Sequence, residues 1–129
     1  MHKNSCARLL RYEAGGYNCL HQDLYGELAF PLQVACLLSR PAAQQPNGEA
    51  KLSGGSFSGG EFLLSEQRPR MQSRGEAIVL QQGEGLVFPN CDRPVIGARG
   101  SYRVRTRHGV SRVHAGERYT LGIIFHDAR

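Results

Sequence analysis

Short apolar runs separated by turn residues limit the fold of this chain more than any other feature of its sequence. Gly, Pro, Ser or Asn residues stand between most runs, which lie at residues 9–12, 17–25, 30–38, 61–64, 78–80, 85–88, 102–107, 108–113 and 118–125. Short strands at this spacing, without a long helical pattern, are typical of sandwiches and barrels. The sequence therefore predicts an all-β protein with about eight strands and few or no helices.

A double-stranded β-helix, the jelly roll of the cupin type, fits a chain of 129 residues. This length is typical of one domain, so we expect residues 1–129 to form a single domain. Only residues 40–60 resemble a linker, because they are rich in Pro, Gly, Ser and Gln. We expect this stretch to be a mobile surface loop.

Composition favours a cytoplasmic protein without a membrane partner. Hydrophobic residues make up 40% and charged residues 21% of the chain, as in ordinary globular proteins. No window approaches the roughly 18 apolar residues of a membrane span, and residues 1–16 lack the apolar segment of a secretory signal. The cysteines are widely spaced, at Cys6, Cys19, Cys36 and Cys91, which favours reduced thiols over a disulfide framework.

His21 and Asp23 are separated by one residue, and side chains at this spacing on a strand point to the same face. Such a pair can bind one metal ion, with His108 from a distant strand as the third ligand. Two histidines and one carboxylate form the facial triad of non-haem Fe(II) oxygenases, which leaves positions open for a cosubstrate and O₂. A structural zinc site would need a fourth protein ligand. The alternative is that these are polar residues of an exposed strand.

Residues 108–125 predict two strands joined by a hairpin turn at residues 114–117. An antiparallel return would bring Arg118 into the same cavity as His108. Arg118 and Thr120 share a strand face, so a guanidinium and a hydroxyl can hold one carboxylate together. This spacing suits the far carboxylate of a keto-acid cosubstrate. The alternative is a solvent-exposed arginine at the base of the hairpin.

These residues resemble the motif of the prolyl-4-hydroxylase-type branch of the Fe(II)/2-oxoglutarate-dependent dioxygenases. That motif reads Tyr-x-x-Gly, HxD, Gly-Gly and H-x-V-x-x-V-x-x-G-x-R/K in this order. The matching residues are Tyr12 and Gly15, His21 and Asp23, Gly59 and Gly60, and His108, Val110, Val113, Gly116 and Arg118.

The resemblance implies catalysis at an Fe(II) ion held by His21, Asp23 and His108. It implies that 2-oxoglutarate and O₂ are consumed, that succinate and CO₂ are released, and that ascorbate supports turnover. Arg118 would bind the 5-carboxylate of 2-oxoglutarate, and the Tyr12 hydroxyl would donate to the same cosubstrate.

A closer resemblance, to a bacterial oxygenase family linked to oxidative repair of methylated DNA, is carried by residues 17–39, 59–74 and 107–128. It implies oxidative demethylation of damaged DNA. The R-x-N-x-T-x-R run of the better-known nucleic-acid demethylases is absent after His108. Three alternatives stay open: a prolyl hydroxylase of proteins, a non-catalytic jelly-roll module that binds nucleic acid, and a zinc hydrolase.

Basic residues favour a polyanionic partner such as nucleic acid. Sixteen lysines and arginines against eleven acidic residues give a net charge of +5. Residues 66–74 form a basic segment, and Arg103, Arg105 and Arg107 alternate along one predicted strand as a cationic stripe. The alternatives are a solvated hairpin and a sheet edge protected by charge.

The expected absence of helices raises the question of what covers the larger sheet. Enzymes of the family that this sequence resembles usually carry helices behind the larger sheet, in a segment that precedes the catalytic strands. We therefore expect either that the native start lies before residue 1 or that a second copy covers this face as a homodimer.

Overall fold

The computed structural model describes residues 3–24 and 29–127, and within these ranges it contains strands and no helix. The all-β prediction is confirmed. The described strands are β1 (Lys3–Tyr12), β2 (Asn18–His21), β3 (Ala29–Leu37), β4 (Arg40–Pro41), β5 (Ala43–Gln44), β6 (Ala50–Lys51), β7 (Ser56–Gly59), β8 (Phe62–Gln67), β9 (Arg74–Ile78), β10 (Gly85–Pro89), β11 (Arg93–Gly97), β12 (Gly100–Val110), β13 (Val113–Gly116) and β14 (Arg118–Asp127).

Two antiparallel sheets pack against each other, as in a jelly-roll type of sandwich. The first sheet has the strand order β1-β14-β3-β10. The second sheet has the order β11-β12-β8-β9, and β2 pairs with β12 beside it. A smaller sheet, β13-β7-β4, and the β5–β6 pair lie outside these two.

The alternation of residue types along β12 determines which of its side chains enter the space between the sheets. Val104, Thr106 and His108 are buried, whereas Arg103 and Arg105, which alternate with them, are exposed. This period of two is that of an extended strand with one apolar and one solvated face. A polar group, His108, therefore reaches the interior from a strand whose other face is basic.

Aromatic side chains from both sheets form the core beneath His108. Phe62 of β8 and Phe88 of β10 are each 4% exposed, and their ring centroids are 4.8 Å apart. Burying a phenylalanine side chain of this kind stabilises a fold by about 1.5–3 kcal/mol. Ala35 of β3 completes the buried cluster. The core thus supports the base of the region in which the predicted metal ligands lie.

The chain after His108 does not form the predicted hairpin. β12 is one continuous strand through Val110, and residues 113–116 form β13 instead of a turn. β13 pairs with β7, and β14 pairs with β1 and β3 in the first sheet. Gly116, at φ 76°, takes up the backbone conformation that allows this change of sheet. Arg118 and His108 therefore lie in opposite sheets, and the hairpin prediction was wrong.

Strand boundaries differ from the sequence prediction in three further places. Residues 40–60 contain β4 to β7, with β4 and β7 paired in parallel, so this stretch is not simply a loop. Its mobility stays a prediction. β2 ends at His21, before Asp23, and the strand expected at residues 78–80 spans Arg74–Ile78. Apolar runs mark buried positions, whereas strand ends are set by the pairing partner.

The outer face of the first sheet exposes apolar side chains. Leu9 is 64% exposed, Val87 61% and Leu32 41%. Within the described residues no helix lies behind this face. A search of the same residues for a helix long and apolar enough to cross a membrane found none. Homodimer formation on this face stays a prediction.

Candidate metal centre and adjoining cavity

Three predicted ligands converge at one edge of the second sheet. His21 closes β2, His108 lies in β12, and these two residues are register partners. Asp23 follows two residues after His21. The His21 Nε2 atom is 3.4 Å from Asp23 Oδ1, and the His108 Nε2 atom is 3.2 Å from Asp23 Oδ2. One donor atom from each residue lies within 4.8 Å of the other two, close enough to share a metal ion.

Gly109 allows β2 to approach β12 closely enough for this convergence. A Cβ atom at residue 109 would lie 2.5 Å from the Asn18 carbonyl oxygen and 3.1 Å from the Cys19 carbonyl carbon. Both atoms belong to the backbone, so neither can rotate away. The register between the two strands also shifts between His108 and Val110. A residue without a side chain is therefore required next to a ligand.

Asp23 lies beyond the end of β2, and its backbone is held by a side chain in place of a strand. The Asp23 amide donates a 3.0 Å hydrogen bond to Asn90 Oδ1, and Asn90 Nδ2 donates to the Asp23 carbonyl oxygen. Asn90 is 2% exposed. Gln33, also buried, donates from Nε2 to Asp23 Oδ2 at 3.2 Å. Both contacts fix the carboxylate relative to the imidazoles.

Gln22 points away from this centre, as the sequence spacing predicts. Its Nε2 atom donates to Asp92 Oδ1 at 3.0 Å and to the Thr106 carbonyl oxygen at 2.9 Å. Both partners lie on the far side of the segment that carries the ligands. The residue between His21 and Asp23 thus ties this segment to β12 without occupying the metal site.

The charge state of Asp23 suits a metal ligand. The pKa of its carboxyl is lowered from 3.8 to about 2, chiefly by the hydrogen bond with the His108 ring. The Gln33 amide and the two imidazoles also lower this pKa, whereas burial opposes the shift. The carboxylate is therefore ionised at neutral pH, as metal coordination requires.

The imidazole arrangement also fits a metal ion. His21 Nδ1 lies 2.6 Å from the Cys19 carbonyl oxygen, which can only accept, so Nδ1 carries the proton. The Nε2 lone pair then faces a carboxylate oxygen, and a cation between them would satisfy both. His108 Nδ1 is buried without a hydrogen-bond partner among the described residues. The Phe88 ring centroid is 4.7 Å from that of His108, which limits its rotation.

The donor set favours an open site over a closed structural zinc site. Within the described residues, the clustered ligands are two histidines and one aspartate. The Cys19 side chain is exposed, and its backbone carbonyl oxygen contacts the His21 ring. Three protein ligands leave coordination positions for other molecules, whereas structural zinc is generally held by four.

Arg118 is buried in the first sheet without a salt-bridge partner among the described residues. It is 2% exposed, and in the described part of the chain it forms no ion pair. Its Nη1 donates a 2.5 Å hydrogen bond to Thr120 Oγ1, and its guanidinium carbon lies 5.5 Å from the Tyr12 ring centroid. Its Nε has no hydrogen-bond partner among these residues. Burial lowers the pKa of this arginine, while Tyr12 and Glu61 raise it.

One cavity joins the two halves of the site. It has a volume of about 150 Å³ and is lined by all six residues singled out in the sequence: Tyr12, His21, Asp23, His108, Arg118 and Thr120. The predicted proximity of Arg118 and His108 thus arises across two facing sheets instead of along a hairpin.

Sequence reasoning missed several residues around the ligands, namely Gln33, Asn90, Phe62 and Phe88. Gln33 had a readable signal, because a single amide inside the apolar run of residues 30–38 needs a buried partner. Asn90 follows an apolar run and a proline, a position that reads equally well as an ordinary loop. The two phenylalanines were placed in strands, but their contact with His108 depends on the pairing of the sheets.

Comparison with known proteins identifies the family. The model of the family Oxygenase-NA, described as "Oxygenase, catalysing oxidative methylation of damaged DNA", matches residues 2–128. Uncharacterized proteins MT2286 and Rv2227 of Mycobacterium tuberculosis, from strains CDC 1551 / Oshkosh and ATCC 25618 / H37Rv, are each 52% identical over 124 residues. The alignments cover 96% of this chain and 48% of each relative, so the chain spans about half their length. No solved structure matches the chain. Because the family model covers nearly the whole sequence, the chain belongs to the Oxygenase-NA family.

Proposed function

We propose that this chain is the catalytic domain of an Fe(II)/2-oxoglutarate-dependent dioxygenase that removes methyl groups from damaged DNA. One observation carries the proposal. A single cavity has two histidines and an aspartate within metal-binding distance on one wall and a buried, unpaired arginine on the other. The description of the family supports the oxygenase class and damaged DNA as the substrate.

His21, Asp23 and His108 would hold the iron. When bound, ferrous iron supplies the activation of O₂, with 2-oxoglutarate oxidised to succinate and CO₂ as the co-reaction. The protein contributes a fixed ligand set, because Asn90 and Gln33 hold Asp23 and the Cys19 carbonyl orients His21. It also limits water access on the His108 side, where Phe62 and Phe88 pack against the ring.

Arg118 would bind the far carboxylate of 2-oxoglutarate, with Thr120 and Tyr12 as neighbouring hydroxyl groups. A buried guanidinium without a directly bonded carboxylate is costly, and a bound carboxylate offsets that cost through charge-assisted hydrogen bonds. Each such bond contributes about 1.5–3 kcal/mol. The Tyr12 hydroxyl also lies 3.4 Å from Asn18 Nδ2, which fixes the ring at the cavity wall.

The proposed reaction inserts one oxygen atom of O₂ into a C–H bond of an N-methyl group and leaves the other in succinate. The resulting N-hydroxymethyl group breaks its C–N bond, releases formaldehyde and returns the nitrogen to its unmethylated state. The family is described by the words oxidative methylation, and the chemistry proposed here runs in the direction of methyl removal.

The test is an assay with Fe(II), 2-oxoglutarate, ascorbate and a methylated oligonucleotide. We expect succinate and formaldehyde to form together, and His21→Ala or Asp23→Ala to abolish both. His114→Ala is the matched control, because His114 is exposed and does not line the cavity; it should keep near-normal activity. Absence of succinate with every substrate would contradict the dioxygenase assignment.

Two competing functions have distinct outcomes in the same assay. Hydroxyproline formation from a prolyl peptide, without formaldehyde from the oligonucleotide, would indicate a prolyl hydroxylase. Oligonucleotide binding without metal binding would indicate a non-catalytic module. A cytoplasmic location and a homodimer are also proposals. The first is supported by the free thiols of all four cysteines, and the second by the exposed apolar face of the first sheet.

A further inference from the structure

An open groove of about 720 Å³ lies beside the metal centre, on the other side of the segment that carries two of the ligands. Gln22 and Leu24 line this groove, whereas Asp23 between them lines the metal cavity. Residues 22–24 thus form a wall shared by the groove and the cavity. A polymer lying in the groove would pass directly beside the candidate iron site.

The opposite wall of the groove comes from β11 and β12 and is basic. Arg103 and Arg105 line it together with Tyr102. Arg105 Nε lies 3.6 Å from Asp92 Oδ1, so this charge is partly neutralised. Arg103 is exposed, and among the described residues its side chain has no hydrogen bond or ion pair. A free guanidinium at a groove wall is suited to contact a phosphate.

The excess positive charge lies in the part of the chain that supplies most of the residues lining this groove. Residues 66–107 contain eight arginines and four acidic residues, so this segment carries +4 of the total net charge of +5. The guanidinium carbon of Arg68, from the β8–β9 loop, lies 6.0 Å from the Tyr102 ring centroid, so this basic loop lies beside β12 at the groove. The rest of the chain is nearly balanced in charge, so an anionic partner would be drawn to this side.

We infer that this groove binds the sugar-phosphate backbone of single-stranded DNA and delivers one nucleotide to the mouth of the metal cavity. The inference rests on the proposed function and names where its substrate lies. Arg103 would contact a phosphate, and the Tyr102 ring offers an apolar surface for a base or sugar. His108 lies three residues after Arg105 on the same strand, a distance of about 10 Å. A DNA strand bound at the arginines would therefore place a neighbouring nucleotide beside the iron site.

The depth of the metal ligands is the reason for choosing a single strand. The cavity of about 150 Å³ is already assigned to the metal and 2-oxoglutarate, so a base pair has no room inside it. His108 is only 7% exposed, so a methyl group must leave the base stack to approach the ligands. Enzymes that modify a base either extrude it from the duplex at an energetic cost or act on a single strand, which avoids that cost. Basic grooves with aromatic residues are typical of single-strand binding.

The test measures the fluorescence anisotropy of a labelled oligothymidylate with the wild-type chain over a series of salt concentrations. We expect binding that weakens as salt increases, because phosphate contacts release counterions. Arg103→Glu should weaken binding by about tenfold or more, since it removes a charge-assisted contact and adds repulsion. Arg103→Ala should weaken it less and flatten the salt dependence.

Lys51→Glu is the matched control, because Lys51 is exposed, outside the groove, and undergoes the same change of charge. It should alter affinity by less than about twofold if the effect is local, since distant surface charges are screened. Equal weakening by Lys51→Glu and Arg103→Glu would overturn the groove assignment, as would no effect of either Arg103 variant. Equal or tighter binding of the corresponding duplex would overturn the choice of single strand.

Failure of this inference is distinguishable from failure of the proposed function. Succinate formation by the wild-type chain tests the dioxygenase chemistry without reference to the groove. If succinate forms but Arg103 is irrelevant to oligonucleotide binding, the groove assignment alone is wrong. If Arg103 matters but no succinate forms, the groove stands and the dioxygenase assignment falls.

Discussion

The Asn90 side chain brackets the backbone of Asp23: its amide oxygen accepts from the Asp23 N–H group and its amide nitrogen donates to the Asp23 carbonyl. This pair of hydrogen bonds takes the place of a strand partner, because β2 ends two residues earlier, at His21. The position of one candidate metal ligand therefore depends on a side chain from the end of β10, about 70 residues further along the chain.

Asn90→Ala should weaken Mn(II) binding by about 10–100-fold, the usual effect of removing a group that orients a ligand. Isothermal titration calorimetry of the wild-type and variant chains measures this directly. Asn47→Ala is the control, because Asn47 is exposed and its side chain bonds, within the described residues, to the nearby Glu49. Unchanged affinity in a folded Asn90→Ala variant would show that Asp23 is held by other contacts.

Gly109→Ala should disrupt the pairing of β2 with β12, since its Cβ would press on the Asn18 and Cys19 backbone. We expect a loss of about 1–3 kcal/mol in the free energy of unfolding, as for other overpacked positions, together with weaker Mn(II) binding. Gly75→Ala is the control, because a Cβ there meets nothing within 4 Å and needs no positive φ. Urea unfolding compares the two variants. Equal effects on stability and metal affinity would contradict a special role for Gly109.

Arg118→Ala should raise the apparent KM for 2-oxoglutarate by about tenfold or more, because a charge-assisted contact to its carboxylate is lost. Arg118→Lys should fall between this variant and the wild type, since it keeps the charge and loses the planar fork. Steady-state succinate formation at varied 2-oxoglutarate gives these values, with the exposed Arg40→Ala as control. An unchanged KM in Arg118→Ala would remove this residue from the cosubstrate site.

Glu61 provides a pH-dependent contribution to stability. Its pKa is lowered from 4.5, first by the hydrogen bond from the Ser111 hydroxyl. A lowered pKa in the folded state stabilises the fold above the unfolded value and loses this effect as the pH falls through the folded value. Glu61→Gln should therefore be less stable than wild type at pH 7, with the difference disappearing in acid. Ser111→Ala should reduce this difference at pH 7; a pH-independent difference would contradict the account.

The sequence predicted which residues line the cavity better than it predicted how the strands bring these residues together. The alternation around His108 was readable because it follows from strand geometry. The proximity of Asp23 to His21 was expected from the same geometry, but β2 ends at His21 and the Asn90 side chain holds Asp23 instead. The sequence indicated that Arg118 lies in the same cavity as His108, but not how the chain brings it there. Its actual route, through β13 and into the first sheet, depends on pairing between β13 and β7, which no local pattern specifies.

Long-range contacts account for the rest of what the sequence did not indicate. Residues 40–60 were expected to be a loop because of their Pro and Gly content, yet the parallel pairing of β4 with β7 creates short strands there. The Asn90 contact likewise joins residues 67 positions apart in the chain. Such contacts are determined by the packed sheets, and composition over a short window carries no information about them.

A crystal structure of the chain with Mn(II) and N-oxalylglycine, an unreactive analogue of 2-oxoglutarate, tests the central claim most directly. The account predicts one anomalous peak bonded to His21, Asp23 and His108, with the far carboxylate of the analogue on Arg118. Manganese bound elsewhere, or a carboxylate that leaves Arg118 unpaired while the three ligand side chains point apart, would contradict it.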